Sequence, residues 1–260
     1  MRLPLNELRW LKRAALDSNR PLEHLIQRRL NREPLQYIIG TQPFGALDNI
    51  RVRPPVLIPR PETEEWVIRL AEYLCSSDWS ASRRISLLDL GTGSGCIPLL
   101  LCHLCPNIVA NGIDISPHAV QLANENAKLC GIPHSRFKAS LCDFVHPGFP
   151  KAETINSPYD ILTSNPPYIT SDEYLQLSDD VAKFEDPTAL IGGCDGLEFY
   201  RVIAGLIARD GFLSPKAVVA LEVGHSQAAA VCDILSPTGF KTSIWMDSWG
   251  KKRTIIAQRQ

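Results

Sequence analysis

The sequence lacks an excess of either charge, a long apolar run and any internal repeat. Its 260 residues carry a formal net charge of −1, which does not favour a protein that depends on broad electrostatic attraction to nucleic acid. The longest apolar run, residues 96–104, is too short to span a membrane and contains Pro98 and His103. We therefore expect a globular protein with no direct nucleic acid substrate and no membrane as a partner.

Cysteine patterns of metal sites are also missing. The eight cysteines lie singly within apolar or helical patterns, which is typical of reduced thiols in an intracellular protein. Cys102 and Cys105 form a Cys-x-x-Cys, but no second pair stands at zinc spacing. We interpret Cys102 and Cys105 as small buried hydrophobic residues and expect no metal.

The first part of the chain has the periodicity of helices. Between Leu5 and Leu30, apolar residues recur at steps of three and four, which predicts two or three short helices. We assign residues 1–42 to a small N-terminal helical domain. Over residues 1–32, eight basic side chains stand against three acidic ones. This excess fits a surface for a partner, a targeting peptide or a solvated helix face.

Residues 41–62 change character, with turn formers and prolines among the apolar residues. We assign residues 43–82 to a hairpin and a linker helix. The pattern predicts a short β-hairpin that ends in the stiff segment 59–64, followed by a linker helix over residues 64–74. The polar connection 76–82 is the predicted boundary to a catalytic domain at residues 83–260.

A glycine-rich segment opens the third part of the chain. Residues 85–97 have the pattern of a buried strand, a turn and an apolar helix. In this glycine turn (residues 91–95), Gly91, Gly93 and Gly95 let the backbone approach a ligand. The loop amides and the helix N-terminus suit a carboxylate or phosphate. The G-x-G-x-G spacing is not the dinucleotide fingerprint, so a plain helix-packing turn is the alternative.

The ends of the next two strands carry residues that suit a nucleoside. Asp114 follows the glycine turn by about twenty residues, at the end of a strand, where an acid can accept both ribose hydroxyls. Its alternative role is to favour the N-terminus of the next helix. The strand 137–141 leads into Asp143 and Phe144, which can meet the edge and the face of an adenine ring or form a plain loop.

The tetrapeptide Asn165-Pro166-Pro167-Tyr168 follows a further buried strand and suits an amide guest. An amide nitrogen is a poor nucleophile because its lone pair is delocalised into the carbonyl group, so a protein must hold both N–H groups and aim the nitrogen. The Asn165 side-chain oxygen and the Pro166 carbonyl can accept these two hydrogen bonds, and the Tyr168 ring can stack on the amide. The alternative is a proline-stiffened turn.

Strands and helices alternate from residue 85 onward, which predicts an α/β fold with a parallel, doubly wound sheet. Ligands bind at the carboxyl ends of such strands, where the glycine turn, Asp114 and Asn165 fall. Residues 169–196 are expected to form a flap over this site. The chain is expected to close with an antiparallel pair of strands, 240–246 and 253–258.

Several segments together resemble a known family. Residues 87–95, Asp114 and residues 165–168 are similar to S-adenosylmethionine-dependent methyltransferases that act on an amino group. Four further segments resemble the HemK/PrmC family, the glutamine N5-methyltransferases of peptide chain release factors: residues 33–40, 57–64, 195–201 and 247–253. The resemblance extends from about Arg32 to the last residue.

The resemblance implies a Rossmann-like class I methyltransferase sheet with a small N-terminal helical domain and a β-hairpin linker. It implies S-adenosyl-L-methionine as the cofactor. The implied methyl acceptor is the glutamine in the Gly-Gly-Gln loop of a class I peptide chain release factor, which the N-terminal domain docks. Asn165, Pro166, Pro167 and Tyr168 are then the catalytic residues. The implied cofactor contacts are Asp89, Gly91, Thr92, Gly93, Ser94, Gly95, Asp114, Asp143, Phe144 and Asn165.

The sequence departs from the family pattern at two places. Asp186 stands between Glu185 and Pro187, where the commoner pattern puts the proline directly after the glutamate, and Phe144 stands where a tryptophan is frequent. The segment 59–64 and the helical N-terminal part resemble the bacterial or organellar type. The cysteine content, the shifted proline and the basic N-terminus favour a mitochondrial location, with a cytoplasmic one as the alternative.

Two other functions are open at this point. The same tetrapeptide can hold an exocyclic amino group of a nucleobase or a glutamine of a ribosomal protein. A nucleic acid target should bring a basic, aromatic-lined groove, which the near-neutral composition does not indicate. The chain can also be an inactive cofactor-binding module, although the glycine turn and the tetrapeptide both argue for activity.

Overall fold

The computed structural model describes residues 3–76, 83–149 and 158–259. Its first part contains three helices: α1 (Leu5–Ser18), α2 (Leu22–Leu30) and α3 (Leu35–Ile39). Their apolar faces meet around Leu11, Leu25 and Ile38. The prediction of two or three short helices is confirmed, because the apolar residues recur at the helical period.

A hairpin and a long helix follow. Strands β1 (Thr41–Phe44) and β2 (Leu47–Arg51) pair antiparallel, as predicted. Helix α4 (Pro61–Ser76) begins three residues earlier than predicted, since proline suits the first position of a helix and the acidic residues of the first turn suit its N-terminus. Most of the predicted boundary, residues 77–82, lies outside the described residues, so the division into domains stays a prediction.

Seven further strands follow in the described residues: β3 (Ile85–Leu90), β4 (Ile108–Asp114), β5 (Phe137–Leu141), β6 (Tyr159–Ser164), β7 (Leu213–Glu222), β8 (Phe240–Met246) and β9 (Lys252–Arg259). They form one sheet in the order β5-β4-β3-β6-β7-β9-β8. Strands β3 to β7 run parallel to their neighbours in this group, and β9 pairs antiparallel with both β7 and β8. The predicted α/β fold is thereby confirmed, as is the antiparallel closing pair.

Helices cover both faces of the sheet. On one face, helices α4, α5 (Cys96–Leu104) and α6 (Pro117–Leu129) share a core with Leu87. On the other face, α9 (Glu198–Ile207) and α10 (Ala228–Leu235) pack with Leu88. The neighbouring leucines point to opposite faces because side chains alternate along a strand. Two shorter helices, α7 (Ser171–Tyr174) and α8 (Asp179–Ala182), lie in the segment predicted to be a flap. In the described parts of the chain, no helix has the length and apolar character of a membrane span.

The chain order places a binding crevice at the middle of the sheet. From β3 the chain builds outward to β4 and β5, then crosses to β6 on the other side of β3. Ligands of such sheets bind at the carboxyl ends of the strands where this reversal occurs. Leu90 is in register with Ser164 of the neighbouring strand, and Asp114 is in register with Leu141. The strand ends predicted to carry the site therefore lie side by side.

Candidate active site

A cavity of about 330 Å³ lies at the carboxyl ends of β3, β4, β5 and β6. Segments that follow each of these four strands line it, so the crevice expected from the strand order is present. Seven of the residues that the sequence predicts for the site lie on its wall: Gly91, Gly93, Asp114, Asp143, Phe144, Asn165 and Pro167.

The glycine turn brings bare backbone to the cavity. Gly91 and Gly93 have φ of +67° and +54°, a region that residues with a side chain rarely adopt. A Cβ added at either position would meet no atom within 4 Å, which leaves room for a ligand against the backbone. Gly95 has another role, because a Cβ there would lie 3.1 Å from the Cβ of Ala123 on α6.

Asp114 joins the glycine turn to the next helix. Its Oδ2 accepts a hydrogen bond from the Gly93 N–H, and its Oδ1 accepts one from the Ser116 N–H, each at 2.9 Å. Burial raises the pKa of Asp114, and these two backbone donors oppose the rise. A carboxylate has lone pairs left after two hydrogen bonds, so Asp114 can organise the loop and still accept hydroxyl groups from a ligand.

Phe144 forms an apolar wall of the cavity. Only 8 % of its surface is exposed, and its ring centroid lies 5.9 Å from that of Phe199 on α9. The neighbouring Asp143 accepts a hydrogen bond from the Val145 N–H at 2.8 Å, which fixes the loop. No local pattern predicts Phe199 at this site, because its place on the wall depends on how α9 packs.

Two distant segments close the cavity from above. Pro55, Val56 and Leu57 come from the linker before α4, and Asp186, Thr188 and Ala189 come from the predicted flap. The Asp186 N–H donates to the Pro55 carbonyl at 2.9 Å.

Side chains hold this roof in place. Arg60 pairs with the buried carboxylate of Glu185 at 2.6 Å, and the Tyr37 hydroxyl of α3 donates to the Val56 carbonyl at 2.6 Å. The roof therefore depends on contacts with the N-terminal helices as well as with the flap. The sequence pattern did not predict that linker residues 55–57 form part of this roof. The linker and the flap lie far apart in the chain, and periodicity relates only neighbouring residues.

Four of the predicted cofactor contacts do not reach the wall: Asp89, Thr92, Ser94 and Gly95. The Thr92 side chain is turned toward the sheet, where a Cβ at Gly112 would meet its Oγ1 at 2.6 Å. Asp89 is fully buried and accepts a hydrogen bond from the Thr163 hydroxyl at 2.7 Å. Burial raises its pKa to about 7. Thr92 and Ser94 face the interior because alternate positions of a tight loop face opposite sides, whereas Asp89 lies within β3 and Gly95 packs against Ala123 on α6.

Asn126 on α6 fastens the glycine turn to the hairpin. It is fully buried, and its Nδ2 donates to the carbonyls of Ser94 at 2.9 Å and Arg51 at 3.1 Å. Its Oδ1 accepts from the Arg51 N–H at 2.8 Å. A lone asparagine in a helical pattern carried no signal of this role in the sequence.

The tetrapeptide 165–168 stands directly after β6. Asn165 and Pro167 line the cavity, whereas Pro166 and Tyr168, the other two predicted catalytic residues, are not on its wall. The Asn165 Nδ2 donates to Thr63 Oγ1 at 3.3 Å. The Tyr168 carbonyl accepts from Gln227 Nε2 at 2.9 Å. A carboxamide with one fixed end therefore borders the same cavity as the glycine turn.

Comparison with known proteins shows that the chain is similar to methyltransferases. Residues 81–204 match a family model described as a methyltransferase domain. The release factor glutamine methyltransferase of Geobacter sulfurreducens is 38 % identical over 216 residues, which cover 83 % of this chain and 69 % of that protein. The protein of the same name from Thermodesulfovibrio yellowstonii is 38 % identical over 239 residues, covering 92 % and 81 % of the two chains.

The chain belongs to the release factor glutamine methyltransferase family. A solved methyltransferase from Pyrococcus furiosus has the same fold, with a TM-score of 0.55 at 17 % identity over 81 % of this chain and 88 % of that one. Membership of this family identifies the chain as an S-adenosyl-L-methionine-dependent methyltransferase.

The residues present fit the cofactor of this family. A nucleoside needs a flat apolar surface, hydrogen-bond acceptors for its hydroxyls and a close backbone approach. Phe144, Asp114 and the open faces of Gly91 and Gly93 offer these three features around one cavity.

A metal site needs clustered histidine, cysteine or acidic side chains. Among the described residues, no cluster of three or more histidine, cysteine or acidic side chains can hold an ion. Cys102 and Cys105 are buried. Burial raises the pKa of Cys102 to about 11 and that of Cys105 to about 12.

Proposed function

We propose that this protein methylates the N5 nitrogen of the glutamine in the Gly-Gly-Gln loop of a class I peptide chain release factor, and thereby tunes translation termination. The observation that carries the proposal is the position of Asn165, whose carboxamide borders the cavity formed by the glycine turn, Asp114 and Phe144. The names and the identity of the relatives support the substrate class.

The acceptor glutamine needs its two N–H groups held while its nitrogen is exposed on one face. In our proposal, the Asn165 side-chain oxygen and the Pro166 carbonyl accept these hydrogen bonds, and the Tyr168 ring packs on the amide plane. The cofactor supplies an electrophilic methyl group on a sulfonium sulfur. The nitrogen that gains the methyl group becomes acidic and releases one proton, so the chain needs no strong general base there. Most of the acceleration then comes from orientation and from acceptors matched to the developing charge.

Cofactor recognition is assigned to the residues on the cavity wall. Asp114 accepts the ribose hydroxyls, Asp143 and Phe144 meet the edge and face of the adenine, and Gly91 and Gly93 admit the chain of the cofactor close to the backbone. Asp89, Thr92, Ser94 and Gly95 hold the turn that carries these contacts.

Mass spectrometry of a purified release factor, incubated with the protein and S-adenosyl-L-methionine, tests the proposal. We expect a gain of one methyl group on the glutamine of the Gly-Gly-Gln peptide, and no gain with the Asn165→Ala variant. A parallel tritium-transfer assay includes a ribosomal protein fraction and nucleic acid. Label that appears only in one of those, with the release factor unmodified, would overturn the assignment.

For location and partner, we propose a mitochondrial release factor as the substrate and the N-terminal helices as its docking site. The basic excess over residues 1–32, the number of cysteines and the proline shifted to position 187 support this choice over a cytoplasmic one. Fractionation of cells that express the tagged full-length chain tests it. Enrichment with mitochondrial markers is expected, and recovery in the cytosol alone contradicts it.

A further inference from the structure

A buried acid lies behind the tetrapeptide and has no part in the chemistry described so far. Glu222 ends β7 and is 1 % exposed. Its Oε2 accepts hydrogen bonds from Thr63 Oγ1 at 2.6 Å and from Trp66 Nε1 at 2.9 Å. Its Oε1 accepts a longer one from the Tyr168 hydroxyl at 3.4 Å.

Among the described residues, none forms a salt bridge with Glu222; Arg253, the cation that acts on it electrostatically, pairs with Asp247 instead. Burial of a carboxyl group without an ion pair is costly unless the group is hydrogen-bonded. The three donors therefore stabilise Glu222 in this position.

The direction of these hydrogen bonds is fixed by chemistry. Burial raises the pKa of Glu222, but the indole N–H of Trp66 can only donate, which makes Oε2 the accepting oxygen of the carboxyl group. A threonine hydroxyl has one hydrogen to donate. Because Thr63 gives that hydrogen to Glu222, it can only accept from its other neighbour. That neighbour is Asn165, whose Nδ2 lies 3.3 Å from Thr63 Oγ1. The order of donors and acceptors therefore runs from Asn165 through Thr63 to Glu222.

This order determines which end of the Asn165 carboxamide faces the cavity. An asparagine side chain can turn by half a rotation and exchange its oxygen and nitrogen with little change of shape. With the nitrogen bound to Thr63, the oxygen is left at the opposite side, free to accept. A reversed carboxamide would offer donors where the proposed glutamine also offers N–H groups, and two sets of donors do not bind each other.

We propose that Thr63 and Glu222 are positioning residues, which hold the Asn165 carboxamide with its oxygen toward the methyl acceptor. The inference rests on the proposed function, since it specifies how that site receives an amide nitrogen. Tyr168 is held by the same carboxylate. Both Thr63 and Trp66 lie in the first turns of α4, so this helix orients the acceptor site although it contributes no atom to the reaction.

The matched pair Thr63→Val and Thr63→Ser tests the proposal. Valine keeps the shape of threonine without the hydroxyl, whereas serine keeps the hydroxyl. We expect Thr63→Val to lower kcat roughly 3- to 10-fold, the factor for one net hydrogen bond, with the dissociation constant of the cofactor unchanged. Thr63→Ser should stay within about twofold of the wild type. Equal loss in both variants, or loss only in cofactor affinity, contradicts the proposal.

A double-mutant cycle separates positioning from general destabilisation. If Thr63 acts through Asn165, adding Thr63→Val to Asn165→Ala should change kcat no further. A purely structural role predicts that the two losses multiply. Melting temperatures of all variants, measured in the same buffer, show whether each is folded. Additive losses in folded variants overturn the inference.

A spectroscopic measurement needs no substrate. In ¹H–¹⁵N spectra of the full chain, the side-chain NH₂ signals of Asn165 are those absent from Asn165→Ala. We expect them to move in Thr63→Val and to stay in place in Thr63→Ser. If the wild type leaves release factors unmethylated, the proposed function fails, while these signals still decide the hydrogen-bond order. Unmoved signals in Thr63→Val contradict the inference even in an active enzyme.

Glu222→Gln tests the last acceptor in the series of hydrogen bonds from Asn165 through Thr63 to Glu222. One glutamine oxygen can still accept from both Thr63 and Trp66, and its NH₂ group can donate to the Tyr168 hydroxyl. We therefore expect the Asn165 signals to stay in place and kcat to remain within about threefold of the wild type. Displaced Asn165 signals in a folded Glu222→Gln protein contradict the assigned order.

Discussion

The two ends of the site are built in different ways. The cofactor end consists of Gly91 and Gly93 of the glycine turn, Asp114 and Phe144, each at or within three residues of the carboxyl end of a strand and each on the cavity wall. The acceptor end consists of Asn165 and Tyr168, with buried polar side chains behind them from α4 and β7. The cofactor end is therefore formed by short local segments, whereas the acceptor end depends on hydrogen bonds between distant parts of the chain.

This difference has a consequence for substitutions. A change at the cofactor end removes a direct contact and should appear as weaker binding of the cofactor. A change at the acceptor end alters orientation, and effects on orientation appear in kcat because they are felt as the transition state forms. The predictions below test whether the two ends separate in this way.

The largest effect is expected for Asn165→Ala at the acceptor end. Loss of an acceptor matched to developing charge should lower methyl transfer by roughly 10²-fold or more, while cofactor binding changes little. Single-turnover assays with calorimetry of the cofactor measure both quantities. Turnover like that of the wild type, or a large loss of cofactor affinity, would break the division between the two ends.

At the cofactor end, Asp114→Ala should weaken cofactor binding most. Hydrogen bonds to a charged group contribute about 1.5–3 kcal/mol, so the dissociation constant should rise about 10- to 100-fold. The Gly93 N–H also loses its acceptor, which loosens the turn. Calorimetry measures the change, and Asp48→Ala, at an exposed acid of β2, is the matched control. An unchanged dissociation constant in Asp114→Ala excludes the ribose assignment.

A smaller effect is expected for Phe144→Ala. The loss of an aromatic face should raise the dissociation constant of the cofactor roughly 2- to 10-fold, and Phe144→Tyr, which keeps the ring, should bind like the wild type. The same calorimetric titration measures both variants. If alanine and tyrosine bind equally well, Phe144 does not cover the adenine.

The smallest effect on the reaction is expected for Asp89→Asn, which should change stability instead. Burial raises the pKa of Asp89 from its ordinary value of 3.8 to about 7. Between these values the unfolded chain releases its proton more readily than the folded one, so the wild type loses stability as pH rises through this range. Asparagine still accepts from Thr163 and does not titrate. The variant should therefore gain up to roughly 10 °C in Tm over the wild type as pH rises from about 4 to about 7, and no more above it.

The wild type and Asp89→Asn share all other buried acids. The difference between their Tm values therefore reports the titration of Asp89 alone. Thermal melts at several pH values measure it. A constant difference across the range would show that Asp89 titrates as an exposed carboxyl does, despite its burial.

The elements of the fold were largely predictable because they depend on local periodicity. The strands that end at Leu90, Asp114 and Leu141 were placed correctly, since apolar runs bounded by turn residues mark buried strands. Helix α4 was predicted to begin three residues late, because a proline-rich segment can be read as either a stiff loop or a helix start.

The segments of the cofactor end could be predicted from the sequence. Which of their residues face the cavity could not. Gly91 and Gly93 face the cavity, whereas Thr92 and Ser94, their direct neighbours, face the interior. A motif shows that a turn is present and does not show which of its residues point outward, because this depends on the helix and strand packed beneath it. Asn126 carries no motif at all, although it fastens the turn.

By itself, the sequence determined the alternation of strands and helices, the glycine turn, the acid at Asp114 and the tetrapeptide with Asn165, because each is a pattern within a few neighbouring residues. The tertiary structure alone decided the roof over the cavity and the partners of Asn165. Thr63 lies 102 positions from Asn165 and 159 from Glu222 along the chain. Only the strand order and the packing of α4 on the sheet bring these side chains within hydrogen-bond distance, and no local pattern contains that information.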